Sequence, residues 1–427
     1  MAGARMLLLL LLSPATGGET PHPPPSGRQH PSLGKMSLPP LPSHPPSLDD
    51  LWNGTARFAT YANFTVNSPS FLGVDAGTRV VVANGAWYLF GRSDAGATPR
   101  CPSGEISTNV RASVDAGATW GPPTTIAAPD ADSCIYADGG PFFDSAASTW
   151  HYLSQVLPAG AGAGWALSHF SRVGASPLGP WVPNPRNPVV RGGDLFRSIC
   201  AGAGKHCEVG MVDEGTPQIV EKVGADFYVT FHGYDYARKR AARGVARTPD
   251  FVAWATDGGL LPGDVIFSAA DCAGWSVPWA AGGCIGSGEA SALRGPSGHL
   301  YQVIEAADRD LECETGWGAQ WWPLGLVRAP AWAPSPRWEQ MGVTPFVGGP
   351  AGGQPHVGCS IQYSSLHADP ASGATFFAFW DVSFHPANAS APFQTWHVFE
   401  LVWGGGALPM PWPGPPQAPP AAPNCKE

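Results

Sequence analysis

The stretch EGTPQIVEKVGADFYVTFHG, residues 214–233, is the clearest structural signal in this sequence. Both halves are rich in the β-branched and aromatic residues that favour strands, and a short Gly-containing turn separates them. Two such runs joined by a turn predict a β-hairpin. Because residues 49–404 show almost no 3.6-residue apolar period, the sequence predicts an all-β fold.

Hairpins of this kind recur along the chain. The other runs are RVVVANGAWYLFGRS at 79–93, PFFDSAASTWHYLSQ at 141–155, ASALRGPSGHLYQVIEA at 290–306, and TFFAFWDVS at 375–383 with TWHVFELVW at 395–403. The acids before the first strands, Asp75, Asp138, Glu214 and Glu289, are 63, 76 and 75 residues apart, and a fifth unit begins near His356, 67 residues later. Repeats of this length with four short strands each are typical of propeller blades. We therefore predict a five-bladed β-propeller of four-stranded antiparallel blades over residues 49–404, because a sixth blade would have to lie in the Pro-rich linker.

The two ends of the chain differ in composition from the middle. Residues 1–18 contain a basic residue, Arg5, followed by an apolar run from Met6 to Leu12, a pattern typical of a secretory signal peptide. Residues 19–48 form a Pro-rich linker, and residues 405–427 form a Pro-rich tail. No later apolar run approaches the roughly 20 residues of a membrane-spanning helix. We therefore expect a secreted protein, without membrane insertion after signal cleavage.

Charge and cysteine usage limit the partners. The net charge of −9 argues against a nucleic-acid partner, because nucleic-acid-binding proteins present a basic face. Nine cysteines and the Asn-x-Ser/Thr sequons at Asn53, Asn63 and Asn388 agree with export and glycosylation. The suggested disulfides are Cys200/Cys207 and Cys272/Cys284, with Cys101/Cys134 and Cys313/Cys359 as weaker pairings and Cys425 left over.

Motifs for metals and cofactors are missing from the sequence. It has no CxxC spacing, phosphate-binding loop or dinucleotide fingerprint placed before a helix. We expect neither a metal nor a cofactor. The one alternative is a structural ion at the channel axis. We also expect a monomer.

The acids before the first strands are the candidate catalytic groups. The innermost strands of a propeller start near one mouth of the central channel, so side chains at those starts converge. Glycosidic bond hydrolysis needs such carboxylates, since one protonates the leaving oxygen and another activates water or attacks carbon. Asp75, Asp138 and Glu289 each lie 12 residues before a second-strand aromatic residue, and Glu214 lies 14 before one, which indicates equivalent places in four blades.

A second turn motif points to the same fold. The segment SVDAGATWG, residues 113–121, resembles the Asp-box of sialidases and related propellers. In those proteins the Asp and the Gly shape a turn between outer strands, and the Trp packs into the blade. The resemblance implies a structural role for Asp115, away from the channel axis.

The chain also resembles the five-bladed propeller glycoside hydrolases of families 43, 32, 117 and 130. The similar segments are the hairpin at 214–233, SPLGPW at 176–181 and RGVARTPDFVAW at 243–254. In family 43 the first three blades carry, in order, an Asp base, an Asp that tunes pKa and orientation, and a Glu acid. The resemblance implies these roles for Asp75, Asp138 and Glu214, although the family's first-blade Asp-Pro reads Asp75-Ala76 here.

Six further residues are predicted to bind substrate. Sugars expose apolar C–H faces that stack on aromatic rings, arginines pair with carboxylated or sulfated sugars, and histidines can line the channel rim and axis. The predicted residues are Trp87, Arg92, His232, Glu289, Trp317 and His356.

These patterns favour a secreted glycoside hydrolase-like protein that cleaves a poly- or oligosaccharide through paired carboxylates. One alternative is a carbohydrate-binding propeller without catalysis. A second is a six-bladed sialidase-like enzyme, which would need an Arg triad and a Tyr nucleophile at the axis.

Overall fold

The computed structural model of the chain is built almost entirely from antiparallel β-sheet. It describes residues 43–67, 76–83, 85–102, 104–159, 165–191, 194–195, 212–235, 240–266, 284–285, 291–312, 320–321, 324–330, 332, 339–341, 361–383 and 393–404. For several strand ends, including those that carry Glu214 and His232, the description covers the backbone alone. The predicted signal peptide, most of the linker and the Pro-rich tail lie outside the described residues.

The first two blades follow each other directly in the chain. Blade I consists of β2 (Ala76–Ala83), β3 (Ala86–Asp94), β4 (Ile106–Ser113) and β5 (Thr124–Ala127). Blade II consists of β6 (Ser133–Asp144), β7 (Thr149–Pro158), β8 (Ala166–Val173) and β9 (Val182–Pro183). All pairings within the two blades are antiparallel, and a single parallel bridge between Ile106 and Ile135 joins them.

Blades III and IV repeat the arrangement. Blade III consists of β10 (Val212–Val223), β11 (Asp226–Asp235), β12 (Arg240–Thr248) and β13 (Ala255–Ile266). Blade IV consists of β14 (Cys284–Ile285), β15 (Ser291–Arg294), β16 (Leu300–Glu312), β17 (Gln320–Trp321), β18 (Leu324–Ala329) and β19 (Glu339–Gln340). Its short strands β14 and β15 pair with the long β16 in place of one continuous inner strand.

Blade V joins the two ends of the described chain. It consists of β20 (Ile361–Ala368), β21 (Thr375–Ser383), β22 (Phe393–Trp403) and β1 (Ala56–Asn67), which follows helix α1 (Leu48–Trp52). The N-terminal strand β1 is the outermost strand of this last blade and pairs with β22 from Ala56↔Trp403 to Asn67↔Phe393.

The five blades close into a ring. The innermost strands contact one another in the order β2, β6, β10, β15 and β20, and β20 contacts β2. This arrangement confirms the predicted five-bladed propeller of four-stranded blades, with blade IV divided into six shorter strands. It does not fit the six-bladed sialidase alternative.

Apolar seams between consecutive blades form the core. Three of the aromatic residues used to count the repeat, Trp87, Trp150 and Tyr301, are each the second residue of a second strand and are all buried. They belong to separate hydrophobic clusters that fill the seams V–I, I–II and IV–V. The recurring aromatic residue is therefore a packing element of the blade.

Hydrogen bonds also link the inner strands. Gln218 Nε2 of β10 donates to Ser291 Oγ of β15 at 3.2 Å, and the Leu366 amide of β20 donates to the same hydroxyl at 2.6 Å. Ser365 Oγ donates to the Val80 carbonyl of β2 at 2.8 Å. Because these links join successive inner strands, they hold the inner strands at defined relative positions.

Candidate active site at the mouth of the ring

The starts of the inner strands all lie at one end of the ring. Corresponding positions of consecutive inner strands meet, as in the contact of Ser365 of β20 with Val80 of β2. The inner strands therefore run in the same direction, and their starts lie at one end, here called the mouth. The second strands run the opposite way, so their last residues also lie at the mouth.

The predicted catalytic acids belong to this end. Asp138 lies in β6, and Glu214 is the third residue of the neighbouring inner strand β10. Asp75 comes immediately before β2 and Glu289 two residues before β15, and both lie outside the described residues. The topology therefore brings the two described acids to the mouth on adjacent inner strands, and the chain enters β2 and β15 at the same end.

Two of the predicted substrate-binding residues lie at the same end. Arg92 and His232 lie near the ends of the second strands β3 and β11. Trp317, between β16 and β17, and His356, before β20, lie outside the described residues. Since the second strands end at the mouth, the backbone of Arg92 and that of His232 lie at that end.

Trp87 is the exception among the predicted substrate-binding residues. It lies beside the hairpin turn of blade I, at the opposite end of β3 from Arg92. Its side chain is only 3% exposed and is covered by Tyr61 and Phe64, whose ring centroids lie 5.4 and 6.2 Å away. This position argues against the predicted contact with substrate, because the indole packs in the seam between blades V and I.

Arg92 forms an ion pair with Asp138 across the seam between blades I and II. Arg92 Nη1 lies 3.1 Å from Asp138 Oδ1, and the two side chains are 16% and 17% exposed. The guanidinium that the sequence assigned to an acidic sugar thus has a protein carboxylate as a partner. The pair holds Asp138 in a defined orientation at the mouth.

Asp138 also lies on a β-bulge. Ala137 and Asp138 together face the single residue Gln155 of β7, between the regular pairs Tyr136↔Val156 and Gly139↔Ser154. The hydroxyls of Thr108 and Ser154 both donate to the Ala137 carbonyl, at 3.4 and 3.2 Å. These two hydrogen bonds therefore hold the bulge in place from two sides. Bulges change the direction of side chains and are common beside active sites.

Glu214 precedes a second bulge. Thr216 and Pro217 of β10 together face Phe231 of β11. Thr216 has a φ of 41°, in the left-handed region that a β-branched residue before proline rarely adopts. Its amide donates to Gln155 Oε1 of blade II at 3.0 Å. The backbone next to Glu214 is thus strained and is held by the neighbouring blade.

The close approach of β6 and β10 depends on a glycine. A Cβ atom added to Gly140 would lie 2.9 Å from both the Gln218 Cα and the Pro217 carbonyl oxygen. Only glycine therefore lets the two acid-bearing strands lie this close together.

The supporting residues Thr108, Ser154 and Gln155 were not found from the sequence. They lie in ordinary β-runs, and a bulge has no composition of its own. The available signals were Gly139 and Pro217, since glycine and proline inside a strand often mark a bulge.

A disulfide joins blades I and II near the start of β6. Cys101, in the loop between β3 and β4, bonds to Cys134 near the start of β6, with the two Cα atoms 5.5 Å apart. The bond attaches the loop of blade I to the inner strand of blade II, four residues before Asp138. The other suggested cysteine pairings lie outside the described side chains.

The Asp-box lies away from the mouth, in the turn between β4 and β5. Asp115 accepts hydrogen bonds from the Thr119 hydroxyl at 2.6 Å, the Thr119 amide at 2.8 Å and the Ser113 hydroxyl at 2.7 Å. The Thr119 and Ser113 hydrogen bonds lower the pKa of Asp115 to about 2. Its carboxylate therefore shapes the turn, as the resemblance implied.

Two further observations concern metals and membranes. Within the described part of the chain, no group of three or more His, Cys, Asp or Glu side chains is placed to hold a metal ion. The described residues also include no helix with the length and apolar character needed to cross a membrane.

Comparison with known proteins identifies the fold. No protein-family model matches the sequence, and no curated protein matches it significantly. Among solved structures, a thermostable family-43 glycoside hydrolase superposes with a TM-score of 0.50 at 12% identity, covering 80% of this chain and 96% of that one. The chain has the fold of the propeller glycoside hydrolases. A second glycoside hydrolase superposes with a TM-score of 0.51 at 11% identity, covering 85% of this chain and 98% of that one.

Proposed function

We propose that this protein is a secreted glycoside hydrolase that acts on a poly- or oligosaccharide at the mouth of its propeller. The observation that carries the proposal is the placement of Asp138 and Glu214 on adjacent inner strands, each beside a bulge held by neighbouring strands. The matched solved structures include glycoside hydrolases, which supports the same activity.

The proposed mechanism divides the work among three acids. Glu214 protonates the glycosidic oxygen as the bond to the anomeric carbon breaks, and Asp75 takes a proton from the water that attacks this carbon. Asp138, oriented by Arg92, positions the sugar and the acid. The transfers balance as hydrolysis, because one proton enters the leaving group and one leaves the water.

The proposed substrate contacts lie around these acids. In the sequence, Glu289 and His356 precede the inner strands β15 and β20, and His232 lies near the end of β11. Trp317 follows β16 and offers a ring on which a sugar face can stack. Arg92 is proposed as the residue that orients Asp138 rather than as a primary contact for an acidic sugar, since it already pairs with a carboxylate.

A saccharide panel with two variants tests the function. Neutral and acidic plant and algal polysaccharides are incubated with wild type, with Glu214→Gln and with the control Glu400→Gln on the strand β22. Because Gln keeps the shape of Glu but cannot donate a proton, we expect cleavage to fall by about 10²-fold or more in Glu214→Gln and to persist in Glu400→Gln. Reaction products are quantified by chromatography.

Other outcomes reassign or reject the proposal. Cleavage that survives Glu214→Gln would move the acid role to another residue, with Glu289 the next to be substituted. Saccharide binding without cleavage by wild type would instead favour a carbohydrate-binding propeller. Neither binding nor cleavage across the panel would reject a carbohydrate function.

A further inference from the structure

We propose that Gln155 is a positioning residue that sets the orientation of Glu214 relative to Asp138. This inference rests on the proposed function and adds a residue to it. Gln155 lies in β7, the second strand of blade II, and is half-buried near the mouth.

Gln155 lies between two bulges, one in each of the acid-bearing strands β6 and β10. Its backbone faces the bulge formed by Ala137 and Asp138 in its own blade. Its side-chain Oε1 accepts the hydrogen bond of the Thr216 amide in blade III at 3.0 Å. One residue thus connects the bulge that carries Asp138 with the bulge that follows Glu214.

The hydrogen bond acts on a strained point of the backbone. Thr216 holds its φ of 41° two residues after Glu214. A non-glycine residue in such a conformation is strained and persists only where its surroundings enforce it. The amide accepted by Gln155 belongs to that residue, so the bond fixes the direction in which the strand start bearing Glu214 leaves the bulge.

Comparison with the other blades shows that packing alone does not require glutamine here. Two-residue bulges also occur in β10 and β20, where Phe231 and Phe379 take the place opposite the bulge. Both phenylalanines are buried in apolar seams. Blade II alone among these three has a polar residue in that place, and its side chain reaches the next inner strand.

Three Gln155 variants separate positioning from packing. Gln155→Leu removes the acceptor, Gln155→Phe reproduces the other blades, and Gln155→Glu keeps an acceptor oxygen. We expect kcat to fall by about 10- to 100-fold in the Leu and Phe variants with little change in KM, because small displacements of a catalytic group have effects of this size.

The Glu variant supplies rescue and a pH signature. Gln155→Glu should keep most of kcat. Its added negative charge should raise the pKa of the nearby acid and so move the alkaline limb of the pH–rate profile to higher pH. A purely structural role would lower the amount of folded protein in the Leu and Phe variants without changing kcat per folded molecule.

Gln302→Leu is the matched control. Gln302 lies on β16, the second strand of blade IV, and within the described residues its buried amide has no hydrogen-bond partner. The same Gln-to-Leu change there should leave kcat and the pH profile unaltered.

Amide exchange tests the positioning without catalysis. The Thr216 amide should exchange with deuterium faster in Gln155→Leu than in wild type, and at the wild-type rate in Gln302→Leu. If wild type cleaves no saccharide, the proposed function fails and this exchange still decides whether Gln155 holds the bulge. Unchanged Thr216 exchange in Gln155→Leu, or unchanged kcat in an active enzyme, would overturn the inference.

Discussion

His151 and His169 lie buried together in the seam between blades II and III. His151 Nδ1 is 3.0 Å from His169 Nε2, and the His169 ring stacks on Phe251 with centroids 3.8 Å apart. Burial lowers the pKa of His151 to about 4, with opposing effects from Asp144 and Lys222. Burial, together with His151, lowers the pKa of His169 to about 3. Both rings are therefore neutral in the folded protein over most of the acidic range.

This pair predicts that the folded protein becomes less stable as the pH is lowered. Below about pH 6.5 the unfolded histidines bind protons that the folded ones do not, so stability is lost from there down to about pH 4. The loss should reach about 3 kcal/mol for His151 alone. Urea unfolding between pH 7 and 4 measures it, and His169→Gln should reduce the slope. An identical slope in that variant would show that other groups cause the pH dependence.

The individual residues of the site were only partly predictable. An acid near the start of a β-run can be recognised in sequence, and Asp138 and Glu214 were chosen as candidates in this way, although both lie within their strands rather than before them. The partner of Arg92 was not recognised, because its contact with Asp138 spans 46 residues and depends on how two blades face each other. Gln155 was missed for the same reason, since the sequence around it does not indicate that its side chain contacts the strained Thr216 of the next blade.

At the scale of elements, the Asp-box turn connects blade I to blade V. Gly117, which has a φ of 86°, lies against Phe64 of β1, where an added Cβ would come within 2.7 Å of the Phe64 ring. Gly85, in the β2–β3 turn, has a similar φ of 74° and nothing within 4 Å of an added Cβ. The two glycines thus differ in packing while sharing a backbone conformation.

Alanine substitution at these glycines should give unequal results. Gly85→Ala incurs only the left-handed backbone penalty of about 1–2 kcal/mol. Gly117→Ala should lose about 1–3 kcal/mol more because it displaces the buried Phe64 ring. Chemical unfolding of the two variants gives the comparison. Equal losses would mean that the Phe64 ring moves aside freely.

The hairpins were predictable because strand propensity and turn residues are local properties. Their internal geometry was not, because one sequence spacing can hide different structures. Blade II has a four-residue turn at 145–148, whereas blade III has a two-residue turn at 224–225 and further bulged residues in β10. The spacings of 12 and 14 residues therefore combine turn lengths with bulges, which a count along the sequence cannot separate.

At the scale of the whole molecule, helix α1 closes the seam between blades IV and V. Leu48 and Leu51 pack into the apolar cluster of that seam. Asp49 accepts hydrogen bonds from the Ser297 amide at 2.8 Å and the Tyr301 hydroxyl at 2.6 Å. Burial acts to raise the pKa of Asp49, but the hydrogen bonds from Ser297 and Tyr301 and the charge of His299 lower it overall.

Substitution of this aspartate should weaken the entire ring. We expect Asp49→Ala to lower the free energy of unfolding by about 2 kcal/mol or more, since it removes several hydrogen bonds to a charged acceptor. Because the pKa of Asp49 is lowered on folding, this contribution is present above about pH 4 and fades as the carboxylate protonates below it. Thermal unfolding at neutral pH provides the measurement.

Asp250→Ala is the matched control for Asp49→Ala. Asp250 also accepts amide hydrogen bonds, and these come from Val252 and Ala253 in its own turn. It should therefore have the smaller effect. A loss as large as that of Asp49→Ala would show that linking distant segments adds nothing.

The pairing of β1 with β22 has a consequence for synthesis on the ribosome. Ala56 emerges early, whereas its partner Trp403 is added near the end of the described chain. At about 5–20 residues per second, β1 waits on the order of 20–60 s for the strand that covers its edge. During that time the aromatic side chains of Phe58 and Phe64 have no final place to pack. Chaperone demand during translation should therefore concentrate on this first strand, and the last blade should be the step that commits the nascent chain to its native form.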